Sequence, residues 1–149
     1  MKKIVFTRPD GGVSVVNIPN RLHEGISDED AQKKAWDRLP PEAINSRWVD
    51  EAEILTDRSF RNAWEDTGAV TVNMPKAREI HKDKMRQTRV PKLAALDVEF
   101  MRALEKNDMA TAAAVATKKQ VLRDVTADPA IETAQTPEAL IAVWPDILK

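Results

Sequence analysis

"PKAREIHKDKMRQTRVPKLAALDVEFMRAL", residues 75–104, decides the fold of this chain. Pro75 suits the first position of a helix, where its missing N–H costs nothing. No glycine follows before the stretch ends. Leu93, Leu96, Phe100 and Leu104 recur at helical spacing, whereas the first half is mostly polar. The pattern therefore predicts a long helix from Pro75 to Leu104, interrupted or kinked near Pro91, which has no N–H to donate. Asn107-Asp108 then reads as a turn and a cap. "MATAAAVATKKQVLRDV" (109–125) reads as a second helix with Ala112, Val115, Ala116 and Leu122 inward. Together they predict an antiparallel helix pair. "DPAIETAQ" (128–135) reads as a connector. Thr136 caps a last short helix with Pro137 at its first position, and Pro145 closes it.

Upstream the pattern changes. "KKIVFTRPDGGVSVVNI" (2–18) reads as a β-hairpin: two β-branched or aromatic runs flank Pro-Asp-Gly-Gly, which supplies a fixed φ and then residues tolerant of positive φ. "ISDEDAQKKAWDRLPPEA" (26–43) reads as a helix capped by Ser27, with three acidic residues in its first turn and Ala31, Ala35, Trp36 and Leu39 as its apolar stripe. "SRWVDEAEIL" (46–55) reads as a strand and "AVTVNM" (69–74) as a shorter one. "DRSFRNAWED" (57–66) places Phe60 and Trp64 one helical turn apart, which predicts a short helix capped by Thr56 or Asp57 and stopped by Gly68. The expected fold class is α+β: a small antiparallel sheet with short helices over residues 1–74, then a helical hairpin and a terminal helix over residues 75–149.

The 149 residues allow one compact domain or two small ones. A net charge of −1 writes in no bulk attraction to nucleic acid or membrane. The hydrophobic 42% includes twenty alanines, which bury little area each, so the core is thin or completed by a partner. The absence of cysteine excludes disulfides, cysteine metal sites and thiol nucleophiles. The N-terminal stretch does not read as a signal peptide, and no run approaches a membrane span.

Catalytic chemistry has little to stand on. His23 and His81 are the only histidines, far apart and outside any metal-ligand spacing. His81 reads as a solvated partner of Asp83. No phosphate loop, dinucleotide fingerprint or nucleophile elbow occurs. No catalytic residue, metal or cofactor is expected. Residues 76–92 hold a local excess of five positive charges. This could contact phosphates, but no aromatics for base stacking accompany it, and it reads as a solvated face paired to the acidic remainder. Phe60 and Trp64 read as core, with the alternative that Trp64 anchors a partner. Trp36, Trp48, Arg61 and Trp64 are the candidate partner-binding residues, because Trp and Arg are enriched in interface hot spots.

Three blocks in order carry a resemblance: "RVPKLAALD" (89–97), "KKQVLRDVTADP" (118–129) and "VWP" (143–145). Over about residues 86–146 the chain resembles the C-terminal region of tailed-phage tail-fibre assembly proteins, also described as tail assembly chaperone-like. The matching positions are Arg89, Leu93, Leu96 and Asp97; then Gln120, Leu122, Arg123, Asp124, Val125 and Thr126; then Trp144 and Pro145. The chain departs from that pattern before Gln120, where Val115, Ala116, Lys118 and Lys119 stand in place of an aromatic residue. The resemblance implies a protein made in the cytoplasm of a bacterial host that binds a tail or tail-fibre protein, with permanent incorporation in the virion and self-association as alternatives. The residues also have a structural reading. Leu122 anchors its helix, Arg123 faces Asp97 or Arg89 faces Asp124 across the pair, and Trp144 folds back over the open end.

Overall fold

The computed structural model describes residues 2–18 and 25–149. His23 lies outside the described residues. The chain divides into two compact units, residues 1–73 and 74–149. The architecture is α+β, with a small antiparallel sheet in the first unit and helices in the second.

In the first unit β1 (Lys2–Thr7) pairs antiparallel with β2 (Val13–Val16) on one side and β3 (Ile44–Asp50) on the other. The turn between β1 and β2 works because Gly11 takes a φ of 78° and the Asp10 carboxylate accepts the Gly12 N–H at 2.8 Å. Val5 faces Arg47 and Thr7 faces Ile44, so β3 carries one extra residue. Asn45, at φ 52°, is placed to absorb it, a conformation asparagine tolerates. The pleat sends Val5, Val13 and Val49 to one face of the sheet, where they pack with Ile54, Trp64 and Val70. Trp48 lies on the other face, where Trp36 of α1 (Asp28–Asp37) stacks on it.

Two expectations for this unit are corrected. The stretch 57–66 is not a helix. Asp57 accepts the Ser59 N–H at 2.8 Å, forming a side-chain turn, and only Arg61–Ala63 makes one 3-10 turn. Trp64–Asp66 is β4, which pairs with β5 (Val70–Val72). The strand expected over 46–55 stops at Asp50, whose N–H is taken by the Glu53 carboxylate at 2.9 Å as the chain turns into Glu51–Glu53. Ile54 still reaches the core, now from a loop.

In the second unit α2 (Met74–Glu105) runs unbroken through Pro91, correcting the expected interruption. A turn with Asn107 at φ 54° leads to α3 (Met109–Asp124), capped by Asp108, which accepts the Thr111 N–H at 3.0 Å. Ala112, Val115 and Leu122 are buried as the periodicity predicts, but Ala116 is exposed. The stretch read as a connector holds a further helix, α4 (Pro129–Thr133), whose Ile131 is fully buried. Helix α5 (Pro137–Ala142) begins at the Thr136 cap, and Leu140 and Leu148 complete the core.

Candidate functional site

The four candidate residues of the first unit separate by burial. Trp64 is only 1% exposed, inside the core cluster, so it offers no surface. Its indole N–H has no acceptor among the described residues, a cost the apolar packing of the ring must offset. Phe60 is buried too, as its core reading requires. Arg61 is exposed. Trp36, 37% exposed, stacks on Trp48 with ring centroids 5.5 Å apart and planes at 23°. These two indoles are the aromatic surface of this unit. The polar pair beside the core is one the sequence did not reveal. Arg47 grips Asp66 with two parallel hydrogen bonds, Nε at 2.9 Å and a terminal nitrogen at 3.0 Å. Hydrogen bonding from Arg47 holds the Asp66 carboxyl below the usual carboxylate range. Burial opposes this, and the Gly68 N–H and the Arg47 charge add to it.

In the second unit the first two sequence blocks meet, but through other contacts than expected, and the third block meets His81 instead. Neither expected ion pair forms. Asp97 receives Lys119 at 2.5 Å, and the same ammonium lies 5.2 Å from the centroid of the Phe100 ring. Asp124 accepts from the Gln120 amide one turn back, at 2.9 Å. Arg123 is exposed. Arg89 reaches α3 by donating to the main-chain carbonyls of Arg123, at 2.6 Å, and Leu122, at 3.4 Å. It thereby satisfies carbonyls that the end of a helix leaves without partners. Leu93 is half-buried and Leu122 fully buried.

The same device recurs along α2. Arg78 donates to the Ala134 carbonyl at 2.8 Å. Lys82 pairs with Glu132 at 2.6 Å. Lys92 donates to the Lys149 carbonyl at 2.6 Å. His81 is buried rather than solvated, and its Nε2 lies 2.8 Å from the Val143 carbonyl. A carbonyl only accepts, so Nε2 carries the proton. Trp144 meets the His81 ring edge to face, with centroids 5.6 Å apart. Asp83, the partner expected for His81, instead pairs with Arg86. Much of the basic stretch 76–92 thus binds the returning chain of its own unit. Sequence reading missed this because a carbonyl acceptor carries no residue identity.

Part of what remains open to solvent is apolar. On α2, Val90, Ala94, Val98 and Met101 share one face by helical spacing. All four are exposed, Val90 by 63% and Met101 by 56%. This face lies away from Ala77, Met85 and Ala103, which are buried. Among the described residues, no group of three or more histidine, cysteine or acidic side chains could hold a metal ion. Among the same residues, no helix is long and apolar enough to cross a membrane. No protein-family model, no curated protein and no solved structure matches this chain.

Proposed function

We propose that this protein acts without catalysis, by binding another protein during assembly of a phage tail or tail fibre. The observation that carries the binding half of this reading is the exposed face of Val90, Ala94, Val98 and Met101 on α2. A solvated helix normally turns charged or polar residues outward. Here large aliphatic and thioether side chains stand in water, and Met suits a surface that must adapt to a partner. The phage context rests on the resemblance of residues 86–146 alone. The stacked Trp36 and Trp48 are a second contact candidate, with an aromatic area typical of interface anchors.

Quantitative mass spectrometry of purified particles of the encoding phage separates the two forms of this reading. An assembly factor that departs is abundant in infected cells and absent from particles. A permanent tail, neck or fibre-base component appears in particles at fixed copy number. A chain that leaves infected-cell tail structures unchanged when its gene is deleted is neither.

A further inference from the structure

Helix α1 carries its own end bonds. Ser27 accepts the Asp30 N–H at 3.1 Å and donates to the Asp30 carboxylate at 2.8 Å. At the other end the Leu39 N–H reaches the Trp36 carbonyl at 3.1 Å, and Pro40 and Pro41 follow. Asp28, Glu29, Asp30, Lys33, Lys34 and Asp37 all stand in solvent. Among the described residues, no hydrogen bond or ion pair joins Asp28–Asp37 to another element. Ala31 is the one buried residue of α1, and an alanine buries little area. The large side chain that ties the helix down is Trp36, stacked on Trp48 of β3. The sheet beneath is held differently: β1 is paired on both sides, and Ile4 and Val5 are fully buried. An element with few buried apolar contacts and no bonds to its neighbours opens more readily than the body it rests on.

We propose that α1 is a lid on the sheet, which leaves it while β1, β2 and β3 stay paired, with the Trp36–Trp48 stack as its latch. Opening separates the two indoles. It bares Trp48 on the face it shares with Ile4, its partner in register, and carries Trp36 away on the lid. The lid thus controls access to the aromatic surface of this unit. Once off the sheet, a helix of ten residues does not hold together in water, so its amide protons exchange at each opening. This device lies in the first unit and does not depend on the face of α2 proposed for the assembly partner, so either reading can fail alone.

The test is amide hydrogen exchange of the full chain, followed residue by residue by NMR. In the wild type, the amides of residues 32–37 should exchange at least about tenfold faster than the bonded amides of β1 and β3. Trp36→Ala should speed exchange in α1 by a further several-fold and leave β1 and β3 as they were. Alanine is the better helix former, so faster exchange in that variant comes from loss of the latch and not from a weaker helix. Trp36→Phe, which can still stack, should fall between the two. Unchanged protection in β1 and β3 shows that each variant is folded. Amides of α1 as protected as those of β1 and β3 overturn the proposal. So does a Trp36→Ala chain in which α1 exchanges no faster than in the wild type. Equal loss of protection in β1, β3 and α1 also overturns it, because the helix would then open only with the whole sheet.

Discussion

Arg89 and Arg123 show how differently two arginines of one sequence block behave. Arg89 closes the end of α3 through two carbonyls, while Arg123 stands in solvent. Leu122 between them is buried. Leu122→Ala should therefore cost about 2–5 kcal/mol, Arg89→Ala about 1 kcal/mol, and Arg123→Ala less than about 0.5 kcal/mol in denaturant melts. Equal losses at Arg89 and Arg123 would contradict the assignment. The Arg47–Asp66 pair makes a prediction in pH. Asp66 is held below the ordinary carboxylate value near 3.8, so the folded state binds this proton less readily than the unfolded chain. Its contribution is complete above that value and is lost as pH falls through the lowered one. Asp66→Asn should cost about 1–3 kcal/mol at neutral pH, and the gap to wild type should close in acid. Caps were legible at this scale because they are local: Ser27, Asp108 and Thr136 each accept the N–H three residues on. Long-range partners were not. Lysine-rich and acidic stretches allow many pairings, and the actual acceptors of Arg78, Arg89 and Lys92 are carbonyls.

Elements with a strong period were readable, and short ones without it were not. The hairpin of β1 and β2, the helix α1 and the pair α2–α3 follow from alternation, caps and 3.6-residue spacing. Residues 57–66 misled because Phe60 and Trp64 are four apart. In a helix that spacing shares a face, but a turn followed by a strand can also send both inward. Trp64 then pairs with Val72, in a conformation aromatic residues favour. Pro91 misled in the opposite direction. Proline in a helix interior removes a hydrogen bond to the carbonyl four residues back, here Gln87, yet α2 continues. Contacts on both sides of Pro91, Asp97 with Lys119 of α3 and Arg78 with the Ala134 carbonyl, help α2 to continue through it. Pro91→Ala should consequently raise the stability of this unit by about 1–3 kcal/mol in a thermal or denaturant melt. A loss of stability would mean that proline is required for the local geometry.

At the scale of the whole molecule, each unit has its own buried residues: Val5, Val49, Trp64 and Val70 in one; Met85, Leu122, Ile131 and Leu140 in the other. Residues 74–149 produced alone should give a helical, cooperative melt, monitored at 222 nm by circular dichroism. A gradual transition would show that this unit depends on residues 1–73. The division near residue 74 was legible because strand-type alternation ends there and helical spacing begins. The outward faces of the second unit were not legible, since the stripe of Leu93, Leu96, Phe100 and Leu104 does not tell whether a neighbour covers Val98 and Met101.

The most direct test of the proposed function is affinity purification of the tagged chain from phage-infected cells, with quantitative mass spectrometry of what comes with it. Wild type should be compared with Val98→Glu/Met101→Glu, which charges the exposed face of α2 without touching its buried side. The account predicts that a tail or tail-fibre protein is enriched with wild type and lost with the variant. Absence of any tail protein, or equal recovery with both chains, would contradict it.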